Sequence, residues 1–148
     1  MKKTLNNKEI RTLNSEIEKY DFQFAKKECV ERMDDLIRKD NETLFFYLHK
    51  KIIPSLKLLL QNISGIKKVT VDMGAVKFVT NGADIMRPGI VHIEDNIEKD
   101  EPIVIIDENN KKPLAVGIAL FNTEDMRNES KGKVIQNIHF VGDEIWNS

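Results

Sequence analysis

Residues Val71 to Ile90 read VDMGAVKFVTNGADIMRPGI, and three of the chain's seven glycines, Gly74, Gly82 and Gly89, punctuate them. Glycine takes positive φ or lets the backbone approach another group. The spacing predicts a strand, a tight turn, one short buried helix stopped by glycine, and a new extended segment. The apolar residues of that helix are Ala75, Val76, Phe78 and Val79, followed by Met86-Arg87-Pro88-Gly89. Turns and a helix end of this kind expose backbone N–H groups, and Lys77 and Arg87 add charge beside them. Such a stretch suits a phosphate backbone or a nucleotide. On spacing alone it equally suits a turn-rich α/β domain that binds nothing there.

Downstream, Ile90 to Ile93 alternates as a strand does. PIVIID (102–107) and LAVGIALF (114–121) are two strongly apolar strands, and Glu108 to Lys111 supplies a hairpin turn between them. Asn122 to Asp125 starts a helical turn, GKVIQNIHF (132–140) is a further strand, and Val141 to Trp146 closes the chain. Five or six short strands with little helix point to a small barrel, which removes exposed edges. Trp146 is expected to plug one end of it and Phe78 to pack in its core. His139, in an apolar strand, reads as structural.

Upstream, Val69 to Val71 is a short strand, and Ile66 to Lys68 marks a boundary. Before it, Ile10, Leu13, Ile17 and Tyr20 recur at helical spacing over 7–20, with Asn6 and Glu9 placed as a capping box. Residues 25–38 are ambiguous. Ala25, Cys29, Val30, Met33, Leu36 and Ile37 fit a helical stripe. The Asp40-Asn41 turn before TLFFYLH (43–49) asks instead for a hairpin partner. IIPSLKLLLQNISG (52–65) reads as a helix with Pro54 in its first turn, Leu56, Leu59, Leu60 and Ile63 buried, and Gly65 at its end.

The 148 residues fit one domain or two small ones. A hydrophobic content of 41% and a charged content of 32% suit a folded chain with a modest core. No apolar run approaches the ~20 residues of a membrane span, and MKKTLNNKEI lacks the apolar stretch of a signal peptide. A cytoplasmic location is expected. The single cysteine, Cys29, excludes an internal disulfide and a zinc pattern, and reads as a buried, inert thiol. The formal net charge is −1, but residues 1–66 carry net +3 and residues 67–148 net −4. Any nucleic-acid contact must then be a local basic patch or be shared with the N-terminal part. No catalytic triad spacing stands out, and adjacent acidic pairs such as Glu124-Asp125 diverge on a strand. No metal, cofactor or enzymatic activity is expected.

The ordered set Asp72-x-Gly74-Ala75, Asn81-Gly82-Ala83-Asp84, Met86-x-Pro88-Gly89, Ala115-Val116-Gly117, Gly132, Asn137-Ile138-His139 and Asp143-x-x-Trp146 resembles the PUA domain. That domain is the small RNA-binding barrel of pseudouridine synthases and archaeosine transglycosylases. The whole chain is most similar to stand-alone archaeal PUA proteins and to the eukaryotic malignant T-cell-amplified-sequence and translation-machinery-associated proteins. There a pre-PUA α/β domain precedes the barrel, and Leu44 to Leu59 resembles its strand, loop and Pro-started helix. The resemblance implies an α+β chain. Residues 1–66 would form the pre-PUA domain, and residues 67–148 the PUA β-barrel with a short helix after its first strand. It favours bent strands over a helix at 25–38. It implies a non-catalytic protein of translation or RNA processing that binds tRNA or ribosomal RNA, with the small ribosomal subunit or a translation factor as partner. Carried over by position, Gly74 and Ala75 form the loop that RNA approaches, Lys77 sits on the short helix, and Gly82 and Ala83 end it. Arg87, Pro88 and Gly89 line the next strand, and Lys131, Gly132 and Lys133 face the same groove. The alternative is an interaction module that docks a translation factor or an RNA-modifying enzyme, with RNA contact incidental.

Overall fold

The computed structural model describes residues 1–148, and the chain divides into two compact units, Met1–Gly65 with Ser148, and Ile66–Asn147. In the first, β1 (Lys2–Thr4) leads into α1 (Asn7–Ile17), which continues as a 3₁₀ turn over Glu18–Tyr20. Then follow β2 (Glu31–Met33), β3 (Leu36–Lys39), β4 (Glu42–Leu48), β5 (Lys51–Pro54) and a four-residue α2 (Leu56–Leu59). The strands form one antiparallel sheet in chain order.

The predicted capping box is present. The Asn6 side chain accepts the Glu9 N–H at 2.8 Å, and the Glu9 carboxylate accepts the Asn6 N–H at 3.0 Å. Ile10, Leu13 and Ile17 of α1 join a buried cluster with Phe24, Val30, Ile37, Phe45 and Ile52. Each such side chain contributes about 1.5–3 kcal/mol by leaving water. Phe22, Phe24 and Phe45 meet edge to face, with ring centroids 5.0–6.2 Å apart.

Residues 31–39 are a hairpin, not a helix. Asp34 takes φ +54°, which reverses the chain between Met33 and Leu36. β3 then pairs with β4 through Asp40 and Asn41, at φ +53° and +64°. Two successive positive φ values are what a type I′ hairpin turn demands. The helical stripe was formed by apolar residues on both sides of one turn. Cys29 is exposed rather than buried, in the irregular segment before β2, while Val30 beside it is fully buried. Pro54 ends β5 instead of starting a helix, and Ser55 caps α2 by accepting the Leu58 N–H. Leu60 is exposed, and Gly65 lies against the Tyr20 carbonyl, where a Cβ has no room.

The second unit contains β6 (Lys68–Val71), α3 (Met73–Val79), β7 (Ile85–Met86), a 3₁₀ turn at Arg87–Gly89, and β8 (Ile90–Ile93). After them come β9 (Pro102–Asp107), β10 (Pro113–Ala119), α4 (Thr123–Asn128) and β11 (Lys133–Phe140). The six strands run in the order β7-β11-β10-β9-β6-β8 and curl into a nearly closed barrel, parallel only between β6 and β9. β9 is buried along its whole length, as its unbroken apolar run requires. Its core includes Val69, Val71, Val79, Ile85, Ile103, Ile105, Met126 and Ile135.

Asp107 closes the β9–β10 turn by accepting the N–H groups of Asn109, Asn110 and Lys112. These backbone donors, Asn110 first, hold its carboxyl below the ordinary carboxylate range against the effect of burial. His139 is fully buried, as a structural histidine should be, with Nδ1 3.0 Å from the Asp143 carboxylate. Asp143 also accepts the N–H groups of Phe140 and Trp146. Trp146 itself is only half-buried and stands outside the barrel's core cluster, so it is not the expected plug. No helix is long and apolar enough to cross a membrane.

Candidate functional site

The quoted stretch builds a cleft. As β6 ends, Asp72 caps α3. Its carboxylate accepts the Ala75 N–H at 2.9 Å, and its own N–H donates to the Gly89 carbonyl at 2.9 Å. The Met73 N–H donates to the Glu108 carboxylate at 2.9 Å. Two N–H groups at the start of α3 are therefore already paired with carboxylates, and the expected phosphate seat on that helix end is largely filled from within.

α3 is not the buried helix the composition suggested. Val79 alone is buried, Ala75 and Val76 pack against the core in part, and Phe78 is 59% exposed. At about 100° per residue Phe78 lies well off the face shared by Ala75, Val76 and Val79. The helix ends at Val79, and the turn after it is made at Gly82, which adopts φ +91°. Asn137 of β11 then fixes that end. Its Nδ2 donates to the carbonyls of Val79 and Ala83 at 3.1 and 3.0 Å, and its N–H donates to Asp84 Oδ1 at 2.9 Å. The other Asp84 oxygen lies 3.4 Å from Lys133 Nζ.

Between α3 and the Met86–Gly89 segment this leaves an open cleft of about 770 Å³. Gly74, Ala75, Phe78, Met86 and Pro88 give it a largely apolar wall, while Asp72, Asp84 and Lys133 supply the charges. An exposed ring beside an apolar wall with few free donors suits a flat aromatic group better than a bare phosphate.

Comparison with known proteins decides what this cleft belongs to. Residues 67–141 match the PUA domain. The chain belongs to the PUA-domain family. An uncharacterized protein of Methanocaldococcus jannaschii is 44% identical over 97% of this chain and 93% of its own length. Translation machinery-associated protein 20 of Schizosaccharomyces pombe is 34% identical over 84% of this chain and 71% of its own length. A conserved PUA domain protein from Thermoplasma acidophilum has a TM-score of 0.84 at 27% identity, covering 99% of this chain and 98% of that one. The predicted α+β architecture, with a helix-bearing sheet before a PUA-type barrel, stands.

Of the residues carried over by resemblance, the PUA cleft gathers Gly74, Ala75, Ala83, Pro88, Gly89 and Lys133. Gly74 and Ala75 sit in the first turn of α3 rather than in a loop. Lys77 is exposed on α3, its Nζ 5.6 Å from the centre of the Phe78 ring. Gly82 lies behind the cleft against Phe140. Arg87 does not line it. Its Nε donates to the Met126 carbonyl at 3.0 Å and one terminal nitrogen to the Ile90 carbonyl at 3.3 Å, which ties the 3₁₀ turn to α4 and β8. Lys131 and Gly132 are exposed in the turn before β11 and also fall outside the cleft. Sequence reasoning missed Phe78, Met86 and Asp84 as cleft residues. For Phe78 the signal was present in its angular offset from Val79; for Asp84 it lay in a β11 contact that local sequence does not encode.

Proposed function

We propose that this protein binds RNA through the cleft between α3 and Met86–Gly89, as a non-catalytic component of translation in the cytoplasm. Residues 1–66 act as a pre-PUA domain and 67–148 as the RNA-binding barrel. The observation that carries the reading is Phe78, an aromatic side chain 59% exposed on a short helix at the mouth of an apolar cleft. Leaving a phenyl ring in water is unfavourable, and a base stacked on it would recover that area. Lys133 at the rim and Lys77 beside the ring provide cations for the adjoining phosphates. Family membership and the translation-associated name of the fission-yeast relative support the same reading. The proposed ligands are tRNA or ribosomal RNA, and the proposed setting is the small ribosomal subunit or a translation factor. Single-stranded ends and loops, whose bases are free to splay out, fit such a cleft best. Fluorescence anisotropy with bulk tRNA and ribosomal RNA fragments tests it. Saturable binding that weakens on Phe78→Ala supports the proposal. An affinity no better than ~10⁻⁴ M at low salt, the range of non-specific binding, rejects it.

A further inference from the structure

The barrel unit is an awkward partner for a polyanion. It is net −4, Asp72 and Asp84 line its cleft, and Glu108 caps the start of α3 beside it. The N-terminal unit, net +3, has a cleft of its own with a different chemistry. Arg32 on β2 stacks over the Tyr47 ring of β4, its guanidinium carbon 4.6 Å from the ring centre. Its Nε donates to the Asp34 carbonyl at 3.0 Å. These two contacts fix the plane of the guanidinium while its terminal nitrogens have no acceptor in the protein. A pre-oriented guanidinium fork is the side chain best suited to a phosphate.

Two hollows meet at this stack. One, about 520 Å³, runs between α1 and the sheet and includes Lys8. The other, about 240 Å³, is bounded by His49 and Lys50 of the β4–β5 turn. Both share Arg32 and Tyr47. The anions present are mostly occupied. Glu9 is held by Lys3 and by the α1 cap, and this pairing keeps its carboxyl below the ordinary range. Glu16 accepts the Tyr47 hydroxyl at 2.7 Å. Burial first, and then Glu16, push the Tyr47 hydroxyl up to about 12, so it stays a neutral donor. Glu16 keeps its charge while accepting this neutral donor, and Asp35 stands at the rim of the second hollow. Lys8 lines the first hollow, Lys50 the second and Arg32 both, and none of the three has a carboxylate partner.

We infer that the Arg32–Tyr47 groove of the N-terminal unit is a second RNA-contact site, which holds phosphate backbone while the barrel cleft holds a base. This rests on the RNA-binding reading above, but its residues are separate and its signature differs. Phosphate contacts make affinity salt-dependent, with a slope of about −0.7 per contact for single strands, whereas base stacking does not.

The full chain is titrated with an end-labelled single-stranded RNA and with bulk tRNA between 50 and 300 mM KCl. Arg32→Ala with Lys50→Ala should lower the magnitude of the log–log salt slope by about 1.4 units and weaken binding about tenfold or more at low salt. Arg32→Lys, which keeps the charge and loses the fork and the stack, should fall in between. Lys26→Ala with Lys27→Ala removes the same charge from exposed positions outside the groove and should leave the slope near that of the unaltered protein. Both Arg32 and Lys50 are exposed, so the melting temperature should fall by only the few degrees that loss of the Arg32 stack and hydrogen bond costs. A slope unchanged in the Arg32/Lys50 variant, while Phe78→Ala still weakens binding, overturns this site and leaves the barrel reading standing. An equal loss in the Lys26/Lys27 variant overturns it too, because diffuse charge would then suffice. RNA that fails to bind the unaltered protein at all overturns both readings.

Discussion

Gly82 lies so close to Phe140 that a Cβ built on it would fall 2.7 Å from the ring's Cε1. The backbone there is also left-handed, at φ +91°. Two separate constraints thus demand glycine at the turn that ends α3. They place the helix C-terminus directly on β11, and so set one wall of the cleft. Gly82→Ala should cost about 1–2 kcal/mol for the left-handed backbone and about 1–3 kcal/mol more for displacing the ring. Urea denaturation should show a midpoint lowered with an unchanged m-value.

The Asp84 carboxylate serves both structure and electrostatics. One oxygen accepts the Asn137 N–H and the other faces Lys133 at 3.4 Å. Asp84→Asn keeps an acceptor for Asn137, removes a negative charge from the cleft and frees Lys133. RNA affinity should rise several-fold at low salt, and the salt slope should steepen by about 0.7 as Lys133 turns to a phosphate. Anisotropy titrations at two salt concentrations check this.

His139 gives stability a pH dependence near neutrality. Burial holds its pKa below the free-histidine value of about 6.5, and the Asp143 carboxylate opposes that shift without cancelling it. The unfolded chain then binds the proton more readily than the folded one. Stability should be full above about pH 6.5 and decline as pH falls from there toward the depressed folded-state value. His139→Gln should flatten the curve in this window, as read by thermal melts between pH 5 and 8. Asp107 acts in a lower window. Its folded pKa is depressed, so its contribution is present above the unfolded carboxylate value of about 4 and is lost on further acidification.

Asn137 tests whether the helix end must be held for RNA to bind. Its side chain donates to the Val79 and Ala83 carbonyls, and its Oδ1 is buried without a hydrogen-bond partner. Asn137→Ala removes two bonds worth about 0.5–1.5 kcal/mol each. Melting temperature and RNA affinity should both fall, in contrast to Phe78→Ala, which should lower affinity alone.

Much of this was readable from residue order. The turn at Gly82, the unbroken apolar runs of β9 and β10, and the α1 capping box are local signals, and each is realised, whereas Gly74 lies inside α3 rather than in a turn. Residues 31–39 misled the periodicity because a two-residue turn can place strand residues at helical intervals; pairing with β4 decides them. Pro54 resembled a helix start, yet Ser55 supplies the cap. In the cleft, glycines announced a close backbone approach but could not say to what. The Asp72 cap on Ala75 is local, but the Glu108 carboxylate on the Met73 N–H and the turning of Arg87 to the Met126 carbonyl join residues 35 and 39 positions apart. No local pattern encodes these two contacts.

The central claim is that the cleft beside α3 holds RNA by its exposed ring. The most direct measurement is the dissociation constant of a single-stranded RNA for the unaltered protein and for Phe78→Ala at one salt concentration, with melting temperatures taken in parallel. The account predicts a loss of about 1–3 kcal/mol, roughly fivefold to 150-fold, with an unchanged melting temperature and salt slope. An unchanged affinity, with RNA still bound tightly, would contradict it.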